Sequence, residues 1–231
     1  MPSSSPWLRH VLLPATHAEQ TARSTEDLIE VFIDPPANPE MPPKVLALIG
    51  HPHPLYGGTP DNKVVTSLSR EFCAHGAVSL RPSFRGVGQS TGVHDHGIQE
   101  TDDLLAVLDW AQTRWDPQRK LPVILAGFSF GAFVITRVAS ALARMQRPAH
   151  WMTLVGTAAG HIEGARHYDT EAVPDNTLVI HGANDTTVPL ANVLAWAEPL
   201  ELPVVVVPGA DHFFHRKLHL LQAIVRRAWP A

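Results

Sequence analysis

Leu121 to Ser140 read LPVILAGFSFGAFVITRVAS: an apolar run, an abrupt Gly-Phe-Ser-Phe-Gly and a second apolar run. The first run has the length of a buried strand and the second has the length of a helix. One interpretation is a tight turn in which Gly127 and Gly131 supply conformational freedom and Ser129 caps the helix. The other is a nucleophile elbow, a sharp strand-to-helix turn that holds a reactive serine away from the sheet.

Similar short apolar runs recur along the chain and show no polar alternation, which is typical of strands buried on both faces. They read HVLLP, LIEVFID, KVLALIG, AVSLRP, PVILAGF, WMTLVG, NTLVIHG and PVVVVPG. From Lys44 onward they alternate with helix-length segments at 61–75, 98–115, 130–145, 190–200 and 213–229. This order predicts a single α/β domain over residues 1–231, with a mostly parallel sheet of about eight strands flanked by helices.

The composition indicates a globular protein and narrows its partners. Hydrophobic residues make up 45% of the chain, and the formal net charge of −4 gives no reason to expect nucleic acid or an anionic membrane as a partner. The one cysteine, Cys73, precludes an internal disulfide and suits a reducing compartment. Because no basic stretch precedes the first apolar run and no run is long enough to span a bilayer, we expect a soluble cytoplasmic protein.

A reactive serine needs a base to take its proton and an acidic group to orient that base. In an elbow of this kind both partners lie downstream, in the order Ser, Asp or Glu, His. NTLVIHGANDTTVP places Asp185 directly after a strand-like run, and LPVVVVPGADHFFHRKLHLL places His212 directly after the last one. Ser129, Asp185 and His212 are therefore the candidate catalytic residues.

Neighbouring residues offer alternatives at two of these positions. Asn184 suits an Asx turn or a helix cap as well as Asp185 does. His215 and His219 follow His212 but fall at helical spacing, whereas His212 occupies the loop at the strand end. We therefore prefer His212 as the base.

From Lys44 to the C-terminus the chain resembles the serine hydrolases of the α/β-hydrolase superfamily, on the motifs GFSFG, HGANDTTVP and GADHFF. GHPHPLYGGTPDNKVV and FRGVGQSTGVHDHG resemble the small, lidless bacterial hydrolases related to dienelactone hydrolase and short-chain carboxylesterases. The resemblance implies Ser129 as the nucleophile, His212 as general base and acid, and Asp185 as the orienting carboxylate.

An oxyanion hole in such an enzyme needs two backbone N–H donors. One is expected from Phe130, the residue after the nucleophile. The other is expected from the HPHPLYGG loop, in which Pro52 and Pro54 have no N–H. The resemblance favours His53, with Leu55 as the alternative.

The substrate site is expected to be a shallow cleft at the carboxyl edge of the sheet. Larger relatives insert a cap after the sixth strand, but here only residues 161–175 separate that strand from the next, enough for at most one short helix. The expected wall comprises His53, Leu55, Tyr56, Phe128, Phe130, Phe213, His161 and Ile162.

Two histidine pairs raise the possibility of a metal site. His51 and His53 are close in sequence, as are His94, Asp95 and His96, but neither group has the further ligands that a metal ion needs. FRGVGQSTG lacks the third glycine of a dinucleotide site, and Arg85 within it is interpreted as an internal brace. We therefore predict neither a metal nor a cofactor.

These features together predict hydrolysis of small to medium carboxylic esters or thioesters through an acyl-serine intermediate. The predicted partner is a small-molecule substrate, with neither nucleic acid nor membrane. Two other classes share the fold: an acyltransferase, which differs only in the acceptor, and a non-hydrolytic binding protein. Binding proteins of this fold commonly lose the nucleophile or the histidine, and this chain keeps both.

Overall fold

The computed structural model describes residues 7–15, 27–164 and 166–230. Its strands are β1 (His10–Pro14), β2 (Leu28–Asp34), β3 (Val45–Gly50), β4 (Ala77–Pro82), β5 (Val123–Phe128), β6 (Trp151–Val155), β7 (Gly160–His161), β8 (His167–Tyr168), β9 (Thr177–Gly182) and β10 (Val204–Val207). Its helices are α1 (Lys63–Ala74), α2 (Ile98–Trp115), α3 (Phe130–Arg144), α4 (Leu190–Ala197) and α5 (Leu218–Ala228), with 3₁₀ turns at Pro54–Tyr56 and Glu198–Leu200.

Eight of the described strands form one sheet in the order β1-β2-β4-β3-β5-β6-β9-β10. β1 and β2 run antiparallel to their neighbours, and every pairing from β4 to β10 is parallel. The predicted α/β fold with a mostly parallel sheet of about eight strands is confirmed. β5 lies inside the sheet between β3 and β6, so its carboxyl end opens at the middle of the sheet edge.

The two faces of the sheet are covered by different helices. Because strand side chains alternate, Leu46 and Leu48 of β3 lie in the core with α2 and α3, whereas Ala47 and Ile49 lie in the core with α1 and α5. All six residues of β3 are buried. The absence of polar alternation in the strand-like runs therefore has the predicted cause.

Three elements differ from their predictions. The last helix begins at Leu218, since Phe214 and Arg216 adopt positive φ angles of 54° and 58° that interrupt a helix. The helix predicted to run to residue 200 ends at Ala197 and continues as a 3₁₀ turn that includes Pro199. The short helix allowed for in residues 161–175 is replaced by the β7–β8 hairpin, in which Gly160 pairs with Tyr168.

The turn after β4 is held by an arginine, as predicted. Arg85 Nη1 donates to Asp27 Oδ2 at 3.0 Å, and Nη2 donates to Asp103 Oδ1 at 2.8 Å. The prediction of Arg85 as an internal brace is confirmed. Among the described residues, no helix is both long and apolar enough to cross a membrane.

Candidate active site

Ser129 sits alone between the end of β5 and the start of α3, in a backbone conformation that non-glycine residues rarely adopt. Its φ of 56° and ψ of −121° cost on the order of 1–3 kcal/mol, which the surrounding structure must offset. Its N–H donates to the carbonyl of Val155 at 2.9 Å, and its own carbonyl accepts from Ala132 N at 3.0 Å. The Ser129 hydroxyl makes no capping bond to α3, which removes the helix-cap interpretation.

The two glycines around Ser129 are required because the backbone packs too closely for a side chain, and not because the backbone adopts a positive φ angle. A Cβ at Gly131 would lie 2.2 Å from the carbonyl oxygen of Gly50, and one at Gly127 would lie 2.5 Å from the N of Ala132. Neither glycine has a positive φ angle. The interpretation that they supply conformational freedom is therefore wrong: they let α3 begin against β3 and β5.

Two further loops bring an imidazole and a carboxylate to Ser129. His212, in the loop after β10, places Nε2 3.0 Å from Ser129 Oγ. Its Nδ1 lies 2.7 Å from Oδ2 of Asp185, in the loop after β9. The other oxygen of Asp185 accepts the N–H groups of Thr187 and Val188 at 2.9 and 2.8 Å. The structure thus brings Ser129, His212 and Asp185 into one hydrogen-bonded chain.

The directions of these bonds fix how the imidazole is used. The Asp185 carboxylate can only accept, so the ring proton of His212 sits on Nδ1 and the Nε2 lone pair is free for the Ser129 hydroxyl. The side chains of Asp185 and His212 are 0% and 4% exposed. A buried and fully oriented base of this kind can remove the serine proton.

His181, in the interior of β9, is a member of the site that the sequence interpretation missed. Its Nε2 donates to the carbonyl of Val188 at 3.0 Å and lies 3.4 Å from Asp185 Oδ2. Burial lowers the pKa of the His181 ring, which is therefore neutral behind the carboxylate. The available signal was a histidine four residues before Asp185, on the strand that leads to it.

The alternative residues lie elsewhere. His215 is exposed and pairs through Nδ1 with Asp211 Oδ2 at 2.7 Å, outside the hydrogen-bonded chain. His219 is exposed on α5, and the side chain of Asn184 is also exposed. The structure therefore joins Ser129 to His212 and Asp185 and not to these neighbours.

Backbone donors near Ser129 differ in how far they are already used. Phe130 is the first residue of α3, where an N–H has no intrahelical acceptor. Leu55 N–H donates to His53 Nδ1 at 3.2 Å, so this donor is occupied. Within the described ranges, no acceptor is found for the N–H of His53. Of the three candidate donors Phe130, His53 and Leu55, the first two thus have N–H groups with no acceptor among the described residues.

His51 is committed to the backbone. Its Nε2 accepts from Phe84 N–H at 2.8 Å, so the proton sits on Nδ1, which donates to the carbonyl of Pro52 at 2.7 Å. Burial lowers the pKa of His51 to about 3. With both ring nitrogens used, His51 has none to offer a metal ion. Across the described part of the chain, no three His, Cys, Asp or Glu residues are grouped to hold one.

The expected cleft wall is exposed at some positions and not at others. Leu55 and Tyr56 are each 68% exposed and Phe213 is 43% exposed, and His161 is also at the surface. The structure buries the remaining aromatic and apolar members, namely Phe128, Phe130 and Ile162.

Phe128 has a different position from the expected one. Its side chain is fully buried, with its ring centroid 4.8 Å from that of His212. The prediction that Phe128 lines the cleft surface is corrected, because at the end of β5 its side chain points into the core and packs against the imidazole. Phe130 is likewise buried and faces the site through its backbone.

Known proteins are similar to this chain in sequence and in fold. A model of the X-Pro dipeptidyl-peptidase (S15) family matches residues 5–161, which include GFSFG and the HPHPLYGG loop but end before Asp185. The uncharacterized protein RP471 of Rickettsia prowazekii is 34% identical over 184 residues, which is 74% of this chain and 73% of that protein.

Two solved structures are similar over nearly the whole chain. An alpha-beta serine hydrolase homologue from Coxiella burnetii is 32% identical, with 96% of this chain and 97% of that chain covered and a TM-score of 0.77. XC6422 from Xanthomonas campestris, an α/β serine hydrolase without a lid, is 36% identical, with 88% and 91% covered and a TM-score of 0.75. The chain therefore belongs to the X-Pro dipeptidyl-peptidase (S15) family of α/β hydrolases, and it is an enzyme of the serine-hydrolase type.

Proposed function

We propose that this protein hydrolyses small to medium carboxylic esters or thioesters through an acyl intermediate on Ser129. The observation that carries the proposal is the continuous chain from Ser129 Oγ through the imidazole of His212 to the carboxylate of Asp185, at 3.0 and 2.7 Å. Its short, directed bonds are those needed to activate a hydroxyl nucleophile.

The first half of the reaction forms the acyl-enzyme. Ser129 Oγ attacks the substrate carbonyl carbon while its proton passes to His212 Nε2, and Asp185 stabilises the resulting imidazolium. The negative charge on the carbonyl oxygen is stabilised by the N–H groups of Phe130 and His53, which are still free to donate. The tetrahedral intermediate then expels the alcohol or thiol, which takes the proton from His212.

The second half repeats these steps with water. His212 Nε2 removes a proton from a water molecule as its oxygen attacks the acyl carbon. Collapse of the second tetrahedral intermediate breaks the bond to Ser129 Oγ, which recovers the proton from His212 and releases the carboxylic acid. Asp185 accepts the hydrogen bond from His212 Nδ1 throughout both halves.

The surroundings of the site favour small acyl groups. In the described part of the connection from β6 to β9, only the β7–β8 hairpin stands where a cap would be inserted. Leu55, Tyr56 and Phe213 form an exposed apolar margin. Burial stabilises an acyl chain by about 0.8 kcal/mol per methylene, and an open cleft buries few of them.

A series of p-nitrophenyl esters from acetate to palmitate tests the proposal. We expect kcat/KM to peak at short or medium acyl chains and to level off or fall beyond them. Ser129→Ala is expected to lower kcat by at least about a thousandfold, because the hydroxyl nucleophile is lost. Circular dichroism of the variant controls for folding.

The same assay includes an X-Pro p-nitroanilide, the substrate class named by the family. Cleavage of that amide with kcat/KM above every ester would contradict the proposal and assign a peptidase. A continued steep rise toward palmitate would contradict the open cleft. Ester hydrolysis that persists at full rate in Ser129→Ala would contradict the acyl-serine intermediate.

A further inference from the structure

A group of basic side chains lies beside Phe130, on loops that are far apart in sequence. We call it the basic wall and define it as His53, His94, His96 and Arg166. The ring centroid of His53 is 4.8 Å from that of Phe130 and 4.7 Å from that of His94, which in turn lies 4.9 Å from His96. Because the N–H of His53 is one of the two proposed oxyanion donors, the basic wall begins beside the position proposed for the reacting carbonyl.

Arg166 is held in place by two rings and a carbonyl. Its guanidinium carbon lies 4.6 Å from the ring centroid of Tyr168 and 5.2 Å from that of Phe133. Nη2 donates to the carbonyl of His96 at 2.6 Å. Nε is buried and lacks a hydrogen-bond partner among the described residues. Arg166 is thus a positioned cation with at least one donor, Nε, unused.

Two buried arginines in the described ranges are neutralised by carboxylates. Arg81 Nε lies 2.7 Å from Asp34 Oδ2, and Arg85 Nε lies 2.7 Å from Asp103 Oδ2. Two arginines that lie over the same Phe133 ring also differ in whether a carboxylate pairs with them.

Arg137 also lies over Phe133, at 5.9 Å, but its Nη1 is 3.9 Å from a Glu171 carboxylate oxygen. Among the described residues, no carboxylate contacts Arg166. Its charge is therefore available to a ligand.

The acids nearest the basic wall are turned toward the start of α2. Glu100 is fully buried and accepts the N–H groups of Asp95 and Gly97, both at 2.8 Å. Glu100 Oε1 also lies 3.1 Å from Nδ1 of His94. Asp95 Oδ2 accepts from Gln99 N at 3.3 Å. Neither carboxylate forms an ion pair or a hydrogen bond with Arg166.

His53 contributes a neutral donor next to this cation. Burial, reinforced by the charges of His94, Arg166 and His96, lowers the pKa of His53 to about 4. Its Nδ1 accepts the N–H of Leu55, so in the neutral ring the proton sits on Nε2. The basic wall therefore combines one permanent positive charge with an imidazole N–H.

We infer that the basic wall binds a carboxylate on the substrate, so that the preferred esters or thioesters carry a negative charge on the acyl side. The inference rests on the proposed function, whose substrate class it narrows. One guanidinium beside the neutral imidazole of His53 matches the single charge of a carboxylate better than the double charge of a phosphate, and the planar guanidinium suits a carboxylate's two oxygens. The positive charge disfavours the terminal ammonium of a dipeptide substrate.

A matched pair of esters tests this directly. Mono-p-nitrophenyl glutarate carries a carboxylate, and p-nitrophenyl hexanoate is a neutral chain of similar length. In the wild type we expect kcat/KM for the glutarate to exceed that for the hexanoate. In Arg166→Gln the ratio of the two values is expected to fall about tenfold, since a charged hydrogen bond is lost. Arg137→Gln, which alters the cation on the same Phe133 ring, is expected to keep the wild-type ratio.

A binding measurement separates this inference from the proposed function. Glutarate is titrated calorimetrically into Ser129→Ala, which cannot turn over, and into Ser129→Ala/Arg166→Gln. Binding to the first that weakens about tenfold in the second supports the inference even if neither ester is hydrolysed, an outcome that would refute only the proposed function.

Equal binding to both proteins, no binding to either, or an unchanged ester ratio in Arg166→Gln overturns the inference while ester hydrolysis stands. Inorganic phosphate that binds Ser129→Ala more tightly than glutarate overturns the choice of carboxylate. If Arg166→Gln does not fold, Arg166→Lys takes its place, because it keeps the charge but loses the planar fork. A partial fall in the ester ratio supports the inference, and no fall overturns it.

Discussion

At the scale of single residues, the site combines a strained serine with a base that is fully oriented. The positive φ of Ser129 is tolerated because its backbone N–H and carbonyl are both bound, to β6 and to the first turn of α3. Burial of His212 and Asp185 strengthens their hydrogen bond, since a low dielectric increases electrostatic attraction. A buried polar group is destabilising unless it has a hydrogen-bond partner or a nearby opposite charge. The buried Asp185 carboxylate has His212 as its partner and His181 Nε2 at 3.4 Å.

His51 is a buried histidine outside the Ser129–His212–Asp185 chain, and its burial predicts that the folded protein loses stability at acid pH. Its folded-state pKa of about 3 lies below the ordinary value of 6.5, so between these values the unfolded chain binds a proton that the folded protein does not. Stability from this group is therefore present above pH 6.5 and is lost as the pH falls toward 3. Between pH 7.5 and 5 the loss is about 2 kcal/mol.

Urea denaturation at pH 7.5 and 5 measures this effect. His51→Gln is expected to be less stable than the wild type at pH 7.5, because the two bonds to the backbone are disturbed, but the difference is expected to shrink by about 2 kcal/mol at pH 5. His219→Gln, at an exposed position on α5, is the control and keeps the wild-type difference between the two pH values. A constant difference between wild type and His51→Gln would contradict this role for His51.

At the scale of elements, the junction of β5 and α3 determines where the nucleophile lies. The helix starts so close to the sheet that the Cα of Gly131 faces the carbonyl of Gly50 with no room for a methyl group. A glycine-to-alanine change inside a helix is ordinarily stabilising by up to about 1 kcal/mol. At Gly131 the same change is expected to be destabilising, because the added methyl group would clash with β3.

Gly131→Ala is therefore expected to lower the free energy of unfolding by about 3 kcal/mol and to reduce ester hydrolysis, because α3 must move away from β3. The control is Gly164→Ala, where φ is 74° and, apart from its chain neighbours, no atom of the described residues lies within 4 Å of the added Cβ; the loss there is expected to be about 1 kcal/mol. Thermal and urea unfolding compare the two. Equal losses, or a stabilised Gly131→Ala, would contradict the close-packing argument.

The elements show which features a single sequence predicts. β5, α3 and the turn between them were predictable because an apolar run, a glycine pair and a second apolar run are all local. The start of α5 was not, because the positive φ angles at Phe214 and Arg216 replace a helical turn whose residues give no helix-breaking signal. The burial of Phe128 also escaped prediction, since side-chain direction at a strand end depends on the chain that packs there.

At the scale of the whole molecule, the parallel sheet assembles the site from distant segments. The carboxyl ends of parallel strands share one edge, so Ser129 meets His212 across 83 residues and His212 meets Asp185 across 27. That rule made the three positions predictable from their order and their places after strands. The basic wall was not predictable in this way, because His53, His94 and Arg166 come from three loops and no sequence motif indicates that these loops meet.

The whole mechanism depends on Ser129 acting as the nucleophile, and covalent labelling tests the reactivity of this serine most directly. A fluorophosphonate should react once per chain, and peptide mapping by mass spectrometry should place the adduct on Ser129. Ser129→Ala should take up no label, and His212→Ala should react far more slowly, because the base that activates the hydroxyl is gone. An adduct on another residue, or labelling that survives in Ser129→Ala, would contradict the mechanism.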